Sequence, residues 1–424
     1  MADGIHQAIE TVFRIERARL IGGLARLVRD VDLAEELAQD ALVAALAEWP
    51  RTGVPTKPGA WLMETARRRA IDGFRRQRMR ARKHAEIALA QDEADDGADA
   101  LEAALDDDLG DELLGLIFAA CHPVLPPQAR SALTLRLVGG LTTGEIARAF
   151  LSPEATIAQR IVRAKRTLRS TGLAFEVPRG AERQPRLASV LEVIYLIFNE
   201  GYVATSGEDL IRPALAAEAQ RLGRILAGLM PEEPEVFGLL ALMELQASRF
   251  AARTGPDGAL VPITDQNRAR WDRLLIRRGL AALARAEALG GAEALGGADR
   301  PYALQAALAA CHARARTAEE TDWPRIAALY DRLCAVAPSP VIELNRAVAY
   351  SIAFGPETGL ALLDAIERAD ALRDYAPLPA ARGDFLFRAG RWAEARHEFQ
   401  TAASLSRNAR ERDFLLRRAA ACGG

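Results

Sequence analysis

A chain of 424 residues is long enough for two or three domains, each with its own core. Half of the residues are hydrophobic, Ala, Leu and Arg dominate and β-branched runs are scarce, so the sequence predicts an all-α protein. No stretch approaches about 18 uncharged apolar residues, and the opening MADGIHQAIETVFRIER lacks an apolar signal segment, which argues against a membrane span and predicts a cytoplasmic protein.

The net charge of −2 conceals strong segregation. Residues 1–85 carry 16 Lys and Arg against 11 Asp and Glu, residues 86–112 carry 0 against 12, and residues 113–185 carry 10 against 4. The remaining residues hold 29 against 30, so two basic modules flank a wholly acidic tether and a neutral C-terminal part follows. Cys121, Cys311, Cys334 and Cys422 stand singly, without the spacing of a disulfide framework or a zinc site. The Cys121–His122 and Cys311–His312 neighbours point about 100° apart on a helix, so packing is expected there rather than a metal.

Asp32 to Trp49, DLAEELAQDALVAALAEW, reads as an amphipathic helix with Leu33, Leu37, Ala41, Leu42, Ala45, Leu46 and Trp49 on its buried side. Glu35, Glu36, Gln39 and Asp40 form a compact acidic patch opposite, suited to a basic partner helix or simply to solvent. Pro50 to Gly59 is rich in Pro and Gly and is expected to be a surface loop. The next helix, Trp61 to Lys83, holds 9 Lys and Arg against 2 acids over residues 64–83, a density that points to nucleic acid. Its expected buried stripe is Trp61, Leu62, Thr65, Ala66, Ala70, Ile71 and Phe74.

Glu86 to Glu112, with twelve acids and no base, is expected to be disordered or loosely helical. Leu113 to Val138 reads as short helices interrupted at Pro123, Pro126 and Pro127. Leu141 to Arg169 then reads as a helix-turn-helix. Thr142 and Glu145 have capping-box spacing, and Ser152 before Pro153 is expected to cap a second helix that runs to about Arg169. Leu151 stands where many such turns carry Gly, at a cost of roughly 1 kcal/mol if its φ is positive. On the second helix Ile157, Ile161, Ala164 and Leu168 make a core stripe, leaving Thr156, Gln159, Arg163 and Arg166 opposite and Arg160 at the flank. Such a face suits a major groove, where Arg and Gln read base edges. A solvated basic surface is the other possibility that charge alone allows.

The order of acidic DLAEELAQDAL helix, Pro/Gly loop, AWLMETARRRAIDGFRRQR, acidic linker and LTTGEIARAF…ATIAQRIVRAKRTLR resembles the extracytoplasmic-function type of bacterial RNA polymerase sigma factor over about residues 6–175. The resemblance implies core-polymerase binding by Asp32, Glu35, Glu36, Gln39 and Asp40. It implies capture of a flipped minus-ten base by the loop Trp49 to Ala60. Minus-ten and melting contacts fall to Trp61, Arg67, Arg68, Arg69, Arg75, Arg76 and Arg78, and minus-35 reading falls to Thr156, Gln159, Arg160, Arg163 and Arg166. In the family the linker runs near the active-site and RNA-exit channels.

Beyond Arg186 helical patterns recur at Arg186–Phe198, Leu210–Leu229, Pro234–Ala252, Gln266–Leu289, Pro301–Thr317, Trp323–Val336, Val341–Ala353, Thr358–Arg368, Ala376–Arg388 and Trp392–Leu405. The last pair fits a tetratricopeptide repeat through Gly383, Leu386, Gly390, Trp392, Ala395, Phe399 and Ala402, with Ala347, Tyr350 and Gly355 hinting at an earlier copy. Stacked helix pairs of this kind usually bind a protein or peptide. Phe198 to Asp209, FNEGYVATSGED, clusters Asn199, Glu200, Tyr202, Ser206 and Asp209, fitting either a capped loop or a small-ligand site. Sigma factors with such an extension carry a similar FNEGY block.

The expected architecture is therefore all-α: a polymerase and minus-ten module at 1–85, an acidic linker at 86–112, a minus-35 helix-turn-helix module at 113–175 and a TPR-like helical array at 186–424. The expected function is promoter selection for RNA polymerase, regulated by the array. A helix-turn-helix regulator that acts without polymerase and senses a ligand or peptide is the alternative. No nucleophile–base–acid arrangement, phosphate loop or metal spacing suggests an enzyme or a cofactor.

Overall fold

The computed structural model describes residues 2–85, 111–150, 152–202, 212–255, 261–290, 300–368, 372–406 and 409–423, and among them every regular element is helical. The chain divides into two compact units, Met1–Ile194 and Tyr195–Gly424.

Unit 1 begins with α1 (Ala2–Val28), α2 (Val31–Thr52) and α3 (Pro58–Ala85). Arg29, at φ 53°, ends α1 in the left-handed region, where a Cβ costs about 1 kcal/mol. Asp30 then caps α2, its carboxylate accepting from the amides of Asp32 and Leu33 at 2.9 and 3.4 Å. The buried stripe of α2 is Val31, Ala34, Leu37, Ala38, Ala41, Ala45 and Trp49. Leu33, Leu42 and Leu46 are only half-buried, flanking that stripe. Two expectations need correcting here. Pro50 lies inside the last turn of α2, and Pro58 and Gly59 in the first turn of α3, rather than in the loop; and Phe74 is exposed, whereas Met63, outside the expected stripe, is buried.

The second module holds α4 (Asp111–Ala120), α5 (Pro127–Leu137), α6 (Thr143–Ala149) and α7 (Glu154–Ser170). The expected disorder of the acidic segment falls at 86–110, outside the described residues, but Glu112 begins the buried face of α4 instead of ending a tether. The Thr142–Glu145 capping box forms as expected, with Thr142 donating its amide to Glu145 at 2.7 Å and Glu145 donating its own to the Thr142 hydroxyl at 3.2 Å. Those bonds from the Thr142 amide and hydroxyl hold the Glu145 carboxyl below its ordinary pKa. Ser152 does not cap α7: Pro153 occupies the cap position and the Ser152 hydroxyl donates to the Phe150 carbonyl. Leu151 lies outside the described residues.

Helix α8 (Arg183–Tyr202) starts in unit 1, where Ser189 and Glu192 accept from Arg130 at 2.6 and 2.9 Å and Arg186 donates to the Phe118 carbonyl. It continues through Tyr202, so Phe198, Asn199 and Glu200 are helical rather than part of a loop, while residues 203–211, with Ser206 and Asp209, lie outside the described residues.

Unit 2 continues with α9 (Pro213–Leu229), α10 (Pro234–Ala247), α11 (Arg273–Gly290), α12 (Pro301–Arg314) and α13 (Trp323–Val336). It ends with α14 (Pro340–Phe354), α15 (Pro356–Arg368), α16 (Pro377–Arg388), α17 (Trp392–Leu405) and α18 (Ala409–Ala421). The sequence missed α18, and it drew α10 and α11 too long, because short 3-10 turns at Phe250–Ala252 and Arg268–Arg270 lie between them. Arg268 is buried there and donates to the carbonyls of His312 and Ala315 at 2.7 and 3.0 Å, satisfying acceptors that the end of α12 leaves open. From α13 onward each helix packs on the next. Gly383 permits one such contact, since a Cβ there would lie 2.9 Å from the Phe399 ring. Ala395, Phe399 and Ala402 are buried as the repeat pattern requires, but Trp392 is 53% exposed.

The cysteines are free; Cys121, Cys311 and Cys422 are buried. Burial pushes the Cys121 thiol up to about 12 and Cys334 to about 11. Among the described residues no helix is long and apolar enough to cross a membrane.

Candidate nucleic-acid interface

Helix α7 is anchored by Ile157, Ile161, Ala164 and Leu168, all buried, and the 3.6-residue period then dictates its outer face. Gln159, Arg163 and Arg166 are exposed, while Thr156 and Arg160 are half-buried at its edges. Arg160, Arg163 and Arg166 make no ion pair among the described residues, leaving their guanidinium groups available to an anion. Such a face on a core-anchored helix can supply bidentate donors to guanine and cations to phosphate.

The Arg-rich face of α3 is partly committed to internal partners. Arg68 pairs with Glu64 at 2.7 Å one turn away, Arg69 with Asp40 of α2 at 3.3 Å, and Arg67 with Glu112 of α4 at 3.6 Å. Arg75 and Arg76 are exposed, and the side chain of Arg78 lies outside the described residues. Trp61 is half-buried and meets Trp49 edge-on at 5.2 Å, so it braces the junction of α2 and α3. Beside the loop before α3 lies a cavity of about 290 Å³, bordered by Lys57, Pro58, Ala60, Met63, Glu16 and Glu112.

The acidic patch of α2 divides in two. Glu36 and Gln39 are exposed, and Asp40 pairs with Arg69. Asp32 and Glu35 are taken up by the second module: Lys165 of α7 reaches them at 2.8 and 2.5 Å, and Arg169 reaches Asp30 and Asp32 at 2.7 and 3.1 Å. Arg17 and Arg136 complete the shell around Glu35 at 2.7 and 3.6 Å. Burial works against the Lys165 charge, but hydrogen bonds to Asp32 and Glu35 outweigh it and raise its pKa. Burial likewise raises the Glu112 carboxyl, with Arg67 opposing.

Lys165, Arg169, Arg17 and Glu112 were not singled out in the sequence. One local signal existed: Lys165 adjoins the buried stripe of α7, and an ammonium at the edge of a core needs a carboxylate. Its partner lies 130 residues away, which no local pattern reports.

Residues 12–80 match the family model for Sigma-70 region 2, residues 116–168 that for Sigma-70 region 4, and residues 186–287 a family of unknown function. An uncharacterized protein of Rhizobium meliloti (strain 1021) is 42% identical over 404 residues, 94% of this chain and 92% of its own length. RNA polymerase sigma factor CarQ of Myxococcus xanthus is 31% identical over 144 residues, 34% of this chain and 77% of its own. ECF RNA polymerase sigma factor SigK of Mycobacterium ulcerans (strain Agy99) is 28% identical over 178 residues, 40% of this chain and 88% of its own. No solved structure matches the chain.

Proposed function

Because the chain belongs to the sigma-70 family of RNA polymerase sigma factors, of the extracytoplasmic-function type, we propose that unit 1 reads two promoter elements for the polymerase while unit 2 regulates it. The observation that carries promoter reading is the exposed Gln159, Arg163 and Arg166 face on a helix whose other side is fixed in a core. Thr156 and Arg160 flank it, within reach of sugar and phosphate oxygens. Arg75 and Arg76 of α3, with Arg67, Arg68 and Arg69 once freed from their carboxylates, would hold the melted minus-ten strand electrostatically. Glu36, Gln39 and Asp40 offer the open part of the polymerase-docking surface, and Asp32 and Glu35 the part now engaged internally.

Unit 2 is neutral overall and built of helix pairs, which suits a protein or peptide partner better than DNA. Run-off transcription with purified core polymerase tests both assignments, comparing the full chain with one ending after Ile194. That end point keeps the Ser189 and Glu192 contacts to Arg130, which an earlier cut would remove. Promoter-specific transcript from the full chain supports the reading, and altered output from the shortened chain supports regulation by unit 2. Absence of specific transcript and of polymerase binding from both chains would return the protein to the class of polymerase-independent regulators.

A further inference from the structure

The FNEGY segment ends at Tyr202, the last residue of α8, and cations gather around that ring. Phe198, one turn earlier, stacks against it with centroids 5.6 Å apart. Arg253 lies over the ring at 3.9 Å and donates to the Tyr202 carbonyl, while Arg249 donates to the phenol oxygen. Arg249 also lies 5.8 Å from the Trp271 ring, over which Arg268 sits at 5.0 Å. Three guanidinium groups, held by the two 3-10 turns and their caps, thus share one patch of unit 2.

Cations taken out of water are ordinarily paired with carboxylates. Arg268 is spent internally on the carbonyls of His312 and Ala315 and on the Thr321 hydroxyl, with Glu319 and Glu320 acting on it at longer range. Arg249 and Arg253 have no carboxylate within ion-pair distance among the described residues. Glu200, close by in sequence on α8, is taken by Arg212. The buried Nε of Arg268 and Nε1 of Trp271 have no acceptor either. Burial lowers the pKa of Arg253, the Tyr202 phenol opposing and the Arg249 charge adding to the effect. The patch is rich in donors and short of negative charge, and both unpaired arginines are only half-buried, within reach of a ligand.

We propose that Arg249 and Arg253, with the Tyr202 hydroxyl, form an anion site that takes a dianionic phosphate group, free or carried on a small molecule. Two unpaired guanidinium groups four residues apart offer forked N–H donors to an oxyanion. Their joint charge matches a phosphate monoester, which carries about −1.5 to −2 at pH 7 on three acceptor oxygens. A single carboxylate would leave one cation uncompensated. All three residues fall within 186–287, the segment that matches a family of unknown function. The site stands on unit 2 alone and does not depend on the promoter reading of unit 1.

The test is calorimetric titration of the full chain at constant ionic strength with inorganic phosphate, glycerol 3-phosphate and, as the carboxylate arm, succinate. The wild type should bind one or both phosphates at least about tenfold more tightly than succinate, and its thermal midpoint should rise with their concentration. Whichever phosphate binds more tightly tells whether the free or the esterified group is preferred. Arg249→Gln and Arg253→Gln should each weaken that binding by at least about tenfold, while Arg277→Gln, an exposed cation on α11 outside the cluster, should leave it unchanged. Should Arg253→Gln fail to fold, Arg249→Gln decides; a readout that needs no variant is protection of Arg249 and Arg253 by phosphate from phenylglyoxal, mapped by mass spectrometry. No saturable binding of either phosphate to the wild type, an unchanged affinity in Arg249→Gln, or unprotected arginines would overturn the site. Succinate binding as tightly as the phosphates would overturn its assignment to a phosphate group.

Discussion

The two units are both all-helical, yet different forces join their parts. In unit 1 the meeting of α2 with α7 is ionic, with Asp32 and Glu35 at its centre and polar solvent at its margin. In unit 2 the helices from α14 onward meet through Leu344, Leu363, Phe385 and Phe399, with small residues such as Ala347, Ala395 and Ala402 setting the spacing. A charged contact can be displaced by a polyanion or a competing charged helix, because the replacement restores the lost pairs. An apolar contact offers no such exchange, since opening it exposes area at about 25 cal/mol per Å². The contrast is between a front half whose modules meet through exchangeable ion pairs and a back half held by apolar packing.

The largest effect that would expose this contrast is in unit 2. Phe399→Ala should destabilise that unit by about 3–5 kcal/mol, read by urea denaturation, because the ring fills the space Gly383 leaves. A loss under about 1 kcal/mol would mean that the pair of α16 and α17 does not carry the array. Next in size, Arg163→Ala should weaken binding to the correct upstream element by about 1–3 kcal/mol and bind unrelated DNA with a smaller loss. Equal losses on both would reduce Arg163 to a phosphate contact.

Acid acts on unit 2 through a buried histidine. Burial, followed by the nearby Arg249 and Arg268 charges, pushes His312 down to about 3. A histidine held neutral in the fold contributes stability above its unfolded pKa of about 6.5 and loses it as pH falls towards the folded value, by up to about 1.4 kcal/mol per pH unit. Thermal midpoints measured between neutral and mildly acidic pH should therefore fall for the wild type and fall less for His312→Phe, which keeps an aromatic ring against Trp323. Parallel curves would exclude His312 as the cause. The smallest change is expected from Glu36→Lys with Asp40→Lys: the thermal midpoint should shift by no more than about 0.5 kcal/mol equivalent while polymerase pull-down is lost. A variant that still pulls down core enzyme at the wild-type level would remove these residues from the docking surface.

What the sequence made legible was local. The Thr142–Glu145 box is written within four residues, and the Ile157, Ile161, Ala164, Leu168 stripe fixes the outward direction of Gln159 and Arg163 without reference to the rest of the fold. Failures arose where a competing neighbour decided the outcome. Pro153 displaced Ser152 from the cap, and Phe74 lies beyond the buried part of α3, whose last buried residue among those described is Ala70. Helix α18 escaped notice because only Leu415 and Ala419 of its residues are buried, too sparse a stripe to stand out among charges. The acidic patch of α2 was visible from its spacing, but its occupant was not, since Lys165 and Asp32 are brought together only by tertiary structure.

The environments of the cysteines carry a practical consequence for chemistry in solution. A thiol with a pKa near 12, like Cys121, is ionised at neutral pH to only about one part in 10⁵, and the thiolate is the form that reacts with oxidants and maleimides. Cys334, near 11, is scarcely more reactive, and Cys311 is raised in the same direction. A cysteine placed on an open helix face keeps an ordinary pKa of about 8.5 and a thiolate fraction hundreds of times larger. Brief labelling at neutral pH should therefore mark a cysteine introduced on an exposed helix face in preference to Cys121, Cys334 and Cys311.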